Sequence, residues 1–228
     1  MDENALRREL VIGCRIAEYL GLFDFSGHAS VRIEGTDTFF INSRDSVRSC
    51  LGLKDIVKVG LDGEALENHD KPPSEVYIHT AIYRIRPDVF SVAHLHSPAI
   101  IELSVAGKEY MPVTNRGSYF SDGIPVYDNC HNINTDEKGR NLAKALGRQR
   151  AVIMRGHGSV VVGENLKAVL FGSLFSELNA KYQISSYRMG VQPHVLSEHE
   201  KAEASRIWGQ RLYEKVWNYY FHKANIDL

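Results

Sequence analysis

A chain of 228 residues, 43% hydrophobic and 24% charged, has the composition of an ordinary globular protein and the length for one sizeable core, and it reads as a single domain over residues 1–228. Its 27 basic and 28 acidic side chains leave a formal net charge of −1 with no Lys/Arg run, which excludes a polyanion footprint and makes nucleic acid an unexpected partner. Three widely spaced cysteines, Cys14, Cys50 and Cys130, exclude a disulfide framework, the acidic opening Met1-Asp2-Glu3-Asn4 does not resemble a signal peptide, and no segment approaches membrane-spanning length, so the expected address is the cytoplasm.

From about Glu3 to Leu20, Leu6, Leu10, Cys14, Ala17 and Leu20 fall at helical spacing and predict an amphipathic helix that Gly21 ends. Phe23 to Ile33 then leads through a small-residue turn into a strand that pairs with Thr38-Phe39-Phe40-Ile41 across Gly35-Thr36-Asp37. Ile56-Val57-Lys58-Val59 and Leu61 read as another strand. Pro72-Pro73-Ser74 opens a helix with Ser74 as N-cap, which places Glu75 in its first turn.

The run Val89 to His96 is β-rich, and alternation at period two sends His94 and His96 to one face, where two imidazoles can share an ion. Ser97-Pro98 starts a short helix to about Ala106, and Asn134 to Leu146 is helical, capped by Asn134 or Thr135 and stopped by Gly147. Ala151-Val152-Ile153-Met154 reads as a buried strand whose glycine-flanked exit, Arg155-Gly156-His157-Gly158, carries a third imidazole. Asn165 to about Arg188 and Ser197 to Lys223 are the closing helices, the second carrying Trp208, Tyr213, Trp217, Tyr220 and Phe221. Strand pairs mixed with helices out of strict βαβ order predict α/β layers around a largely antiparallel or mixed sheet. There is no internal repeat or linker.

Three neutral imidazoles beside a carboxylate leave coordination positions open, the pattern of a catalytic metal site rather than a structural one. Gly27-His28-Ala29-Ser30, Ser74-Glu75, His94-Leu95-His96 and Gly156-His157-Gly158, in this order and at these separations, resemble the class II aldolase/adducin family, which includes fuculose-phosphate aldolases and ribulose-phosphate 4-epimerases. The resemblance implies a class II aldolase-like layered fold, metal ligation by His94, His96 and His157, Glu75 as catalytic acid/base, and one divalent ion per subunit. Zinc and manganese are the first choices for that ion, with iron and cobalt behind them. It also implies a small-molecule substrate and a homotetramer with active sites near subunit interfaces, which a C-terminal tyrosine such as Tyr213 could reach from a neighbour.

Where the sugar-phosphate branch places small phosphate-binding donors, this chain has Gly27-His28, Ser43-Arg44 and Pro73-Ser74. An imidazole and a guanidinium suit a planar carboxylate instead. That pattern is similar to the decarboxylase branch, which includes 3-hydroxy-2-methylpyridine-4,5-dicarboxylate decarboxylase. The implied activity is decarboxylation of a hydroxylated aromatic or heteroaromatic acid, with a class II aldolase and a non-enzymatic adducin-like module as the alternatives.

Glu75 is the first candidate to deliver a proton to the ring carbon and His28 the second. Arg44 anchors a carboxylate in this reading, and Ser30, Ser43, Ser74, Asn115 and Arg116 supply further substrate contacts. Each has a plainer role beside it: Glu75 as a carboxylate at a helix start, His28 as a packed or capping turn residue, the C-terminal aromatics as core. His79, one helical turn after Glu75, reads as a packed histidine, with a role behind the site as the alternative. His69, His131, His194, His199 and His222 have no partner in the pattern and read as surface residues.

Overall fold

The computed structural model describes residues 2–67 and 70–227, so His69 lies outside the described residues. The chain opens with α1 (Glu3–Tyr19), whose N-cap Asp2 accepts the Asn4 N–H and whose buried face carries Leu6, Leu10, Cys14 and Ala17. Next come β1 (His28–Arg32), β2 (Thr38–Asn42) and β3 (Ile56–Gly60), followed by α2 (Val76–Ile85), β4 (Ser91–Leu95) and α3 (Pro98–Val105). The remainder is β5 (Val126–Tyr127), α4 (Asp136–Leu146), β6 (Ala151–Met154), β7 (Gly158–Gly163), α5 (Leu166–Arg188), α6 (Glu198–Ser205) and α7 (Gln210–Lys223).

The seven strands form one sheet in the order β3-β2-β1-β4-β7-β6-β5. Every pairing is antiparallel except β5 with β6. Alternation along each strand then divides the interior into two cores. Ala29, Val31, Phe40, Ala93, Leu95 and Val161 belong to the core that α1, α3 and α5 complete, while Phe39, Ile41, Val57, Val92, Val160 and Val162 belong to the one under α2 and α4. This is the layered α/β arrangement with a mostly antiparallel sheet that the element order predicts. Among the described residues, no helix is long and apolar enough to cross a membrane.

Four local features differ from expectation. Glu75, not Ser74, occupies the N-cap of α2, and its side chain does not cap the helix because its oxygens are engaged elsewhere. The last helix is two, α6 and α7, broken before Gly209, whose φ of 151° suits a residue without Cβ. The break turns the Trp208 ring onto Phe171 and Tyr119, at centroid distances of 5.6 and 6.2 Å. Strand β7 was not anticipated: Ser159 to Val162 is buried on both faces and has no alternation to read. The two-residue β5 is too short to announce itself.

Candidate metal centre

Strand register assembles the site. His28 on β1 stands opposite His94 on β4, so both imidazoles rise from the α2 side of the sheet. His96 follows the end of β4, and His157 lies in the turn between β6 and β7. Two glycines fix that turn: Gly156 takes φ 67°, and a Cβ on Gly158 would come within 2.3 Å of the Leu95 carbonyl oxygen. The close approach of β7 to β4 that Gly158 permits is what brings His157 to His94 and His96. One ring nitrogen from each of the three lies within 4.8 Å of the others.

Hydrogen bonds decide which nitrogens face inward. Nδ1 of His94 lies 3.1 Å from the Ser159 carbonyl oxygen, an acceptor only, so Nδ1 donates and Nε2 keeps its lone pair. Nδ1 of His96 lies 2.9 Å from Asp24 Oδ2, with the same consequence. The two Nε2 atoms are 3.1 Å apart, lone pair to lone pair, an arrangement that a cation between them relieves. Burial holds the His94 imidazole well below its ordinary pKa, and neighbouring His96 and His157 add to the effect. Burial also lowers His157, against the opposing pull of Glu75. Neutral imidazole is the form a metal ion needs, and the donor set fits a divalent ion.

Glu75 sits at the shoulder of this group. Its Oε2 lies 3.6 Å from His94 Nε2 and 3.7 Å from His157 Nε2, while Oε1 accepts the Ile133 N–H at 2.8 Å. The backbone bond fixes one oxygen and leaves the other toward the histidines. Asp24 plays the outer role for His96. Partial burial pushes its carboxyl pKa up, but the Ser26 N–H and the His96 side chain outweigh this and bring it below its usual value.

Behind His94 runs a buried polar file. His28 Nδ1 is 2.7 Å from His79 Nε2, His79 Nδ1 is 2.6 Å from Ser30 Oγ, and Ser30 Oγ is 2.7 Å from the Tyr83 hydroxyl. Burial drives His79 down to a pKa of about 3, and burial, reinforced by His79 and His94, holds His28 well below its ordinary value. His79 is therefore tied to the site through His28, beyond merely filling space. Arg48, also buried, donates to the Gly27 carbonyl at 2.7 Å and to the carbonyls of Ser43 and Ser46, and so shapes the turn ahead of His28.

Beside the histidines opens a cavity of about 790 Å³. His96, His157, Asp24 and Asn132 line its polar side, and Pro98, Ile101 and Val105 of α3 give it an apolar wall. The N-terminus of that helix is held by a buried carboxylate, Glu177, which accepts from the Ala99 and Ile100 N–H groups at 3.0 and 3.3 Å.

The predicted site residues divide into two groups. The structure brings together His94, His96, His157, Glu75 and His28. Ser30 is fully buried and occupied by His79 and Tyr83, so it faces no ligand space and is corrected from a substrate contact to a member of the file. Asn115 and Arg116 are corrected as well: they border a separate groove of about 600 Å³ beside α5 and α7, where Arg116 lies over the Phe175 ring. Ser43 is buried, whereas Arg44 and Ser74 are exposed, and none of the three lines the cavity. Arg44 donates its N–H to the Lys71 carbonyl, which ties its loop to the segment before Ser74. His131, His194, His199 and His222 are exposed, as expected. Tyr213 is buried and packs on Phe171. Sequence reasoning missed Asp24, Tyr83, Arg48 and the Ile133 N–H, because each meets the site only through folding and none belongs to a local motif.

Comparison with known proteins adds to this geometry. Residues 8–184 match the family model described as Class II Aldolase and Adducin N-terminal domain. A 3,4-dihydroxyphthalate decarboxylase of Rhodococcus jostii is 31% identical over 194 residues, spanning 78% of this chain and 79% of that protein. The decarboxylase tropJ of Talaromyces stipitatus is 28% identical over 225 residues, 85% of this chain and 84% of that one. Among solved structures, the L-fuculose 1-phosphate aldolase from Glaciozyma antarctica PI12 matches with a TM-score of 0.85 at 20% identity, covering 97% of this chain and 88% of that one.

Proposed function

We propose a function for a chain that belongs to the class II aldolase and adducin family: a divalent-metal-dependent carbon–carbon lyase that decarboxylates a hydroxylated aromatic or heteroaromatic acid. The observation that carries this reading is the convergence of one nitrogen each from His94, His96 and His157, with Glu75 Oε2 within 3.7 Å of the His94 and His157 nitrogens, beside a cavity with an apolar wall. The three imidazoles would hold the ion. A divalent ion bound there supplies Lewis acidity for the electron pair left on carbon when a C–C bond breaks.

The chain's own groups do the rest. Pro98, Ile101 and Val105 offer an apolar surface to the flat face of a ring. Glu75, one oxygen of which accepts the Ile133 N–H, is the group to which we assign delivery, in its protonated form, of the proton that replaces departing CO2. Arg44, exposed and outside the residues that line the cavity, is the proposed anchor for a second carboxylate, with Ser43 and Ser74 on the neighbouring segments. The 31% identical relative is named a decarboxylase of a dihydroxylated aromatic diacid, which supports that substrate class.

The family resemblance is the ground for proposing a homotetramer, and three free cysteines are compatible with a reducing, cytoplasmic setting. Protein loaded in turn with zinc, manganese, iron and cobalt is incubated with 3,4-dihydroxyphthalate and, separately, with L-fuculose 1-phosphate. Release of CO2 from the acid is expected. Aldehyde release from the sugar phosphate with no CO2 would replace the decarboxylase by an aldolase, and failure to take up any metal would remove both.

A further inference from the structure

His28 has two nitrogens in different situations. Nδ1 is taken by His79, while Nε2 is buried and has no hydrogen-bond partner. Leaving a buried donor or acceptor unpaired costs about 1–3 kcal/mol, so the direction in which this atom is aimed bears on its role. His28, Glu75 and His94 each bring one nitrogen or oxygen to within 4.8 Å of the others, and with Nδ1 engaged, Nε2 is the His28 atom left to face them. Judged by position alone, His28 would serve equally well as a fourth metal ligand, as a base or as a hydrogen-bond donor.

The buried file behind it decides among these. The Tyr83 hydroxyl has two acceptors in reach, Ser30 Oγ at 2.7 Å and the Phe90 carbonyl at 3.5 Å, and that carbonyl already receives the Arg32 N–H at 2.8 Å. Hydroxyl hydrogen bonds fall at about 2.5–3.0 Å, so Tyr83 donates to Ser30. Ser30 then spends its own proton on His79 Nδ1, 2.6 Å away. His79 carries its proton on Nε2 and donates it to His28 Nδ1. The remaining proton of a neutral His28 sits on Nε2. The opposite polarity would oblige Tyr83 to donate across 3.5 Å.

We propose that the file Tyr83–Ser30–His79 fixes His28 as a neutral imidazole whose Nε2–H faces the carboxylate of Glu75, a positioning residue that contacts neither the metal nor the reacting carbon. A nitrogen bearing a proton has no lone pair for a cation, and Glu75 brings a carboxylate oxygen to within 4.8 Å of the His28 ring. The assignment of a partner to Glu75 rests on the reading of Glu75 as the acid/base, whereas the proton's place on His28 stands independently of it.

Two experiments test it. Long-range ¹H–¹⁵N correlation spectra of metal-free, histidine-labelled protein are expected to show His28 protonated on Nε2 and bare on Nδ1. A His28 protonated on Nδ1, or a doubly protonated ring, overturns the proposal whatever the enzyme's substrate proves to be. Zinc affinity and turnover of 3,4-dihydroxyphthalate are then compared for the wild type, His28→Gln and His94→Ala. The glutamine variant keeps a donor and is expected to hold zinc within about tenfold of wild type, at the low end of what loss of a supporting residue does. Its kcat falls while KM stays nearly constant. Zinc loss as complete as in His94→Ala makes His28 a ligand and overturns the proposal, and a rise in KM at unchanged kcat makes it a substrate contact with the same result. If no variant, wild type included, releases CO2, the substrate reading fails while the spectra and zinc titrations still decide the role of His28.

Discussion

On the face of the sheet covered by α1, α3 and α5, the strands offer Ala29, Val31, Ala93 and Leu95 to an apolar core closed by Phe171, Phe175, Tyr213 and Trp217. The other face begins in the same way with Phe39, Ile41, Val57 and Val92 under α2, but toward β1 and β4 it turns to His28, Ser30 and His94, with His79 and Tyr83 descending from α2. Both regions are buried. The first is held by area removed from water, whereas the second leaves polar groups buried and must satisfy them one by one. A packed apolar region tolerates volume-conserving exchange, while a polar file fails when any one member loses its partner.

That contrast can be broken from either side. The largest effect is expected for Glu75→Gln, which keeps the shape but not the proton chemistry: kcat should fall by about 10²–10⁴, with zinc stoichiometry and thermal midpoint close to wild type. Steady-state CO2 assays with parallel metal analysis check this, and an unchanged kcat removes Glu75 from the chemistry. On the opposite face, Phe171→Ala should cost about 3–5 kcal/mol in denaturant unfolding through loss of the rings around Phe175, Tyr213 and Trp208, while zinc affinity persists. A loss of zinc equal to the loss of stability would show that the two regions are not separable.

Acid sharpens the comparison. His79 is neutral when folded, with its pKa lowered to about 3, against about 6.5 in an unfolded chain. Between these values the unfolded state binds the extra proton, so this group's contribution to stability is complete above pH 6.5 and drains away as pH falls toward 3. Urea midpoints of the metal-free protein should decline across that window, and His79→Gln should flatten the decline; equal slopes would mean that other groups set it. The smallest change is expected for Arg44→Ala. An exposed ion pair is worth about 1 kcal/mol or less, so KM for a diacid should rise by no more than roughly fivefold, with KM for a monoacid unaltered.

Much of the scaffold follows from local pattern. Leu6, Leu10, Cys14 and Ala17 mark α1, Gly147 ends α4, and the two-residue spacing of His94 and His96 sets both rings on one side. Helical periodicity continues through Ile207 and Trp208 and so predicts one terminal helix, and only the packing of Trp208 on Phe171 shows why the chain breaks before Gly209. Asn115 and Arg116 lie apart from the histidines because their turn is held against α5, where Asn179 accepts the Thr114 N–H, a contact across the fold that no local pattern announces.

The sequence by itself determined the donor set of the candidate centre, three imidazoles and a carboxylate at recognisable spacings, because few other roles collect these residue types together. Tertiary structure alone decided what stands behind them. The register of β1 against β4, the approach of Gly158 to Leu95 and the descent of α2 onto the sheet select Asp24 for His96 and His79 for His28. Those partners are chosen by distances across the fold, and hydrogen bonds of under 3 Å between residues some 50 to 70 positions apart leave no trace in local pattern.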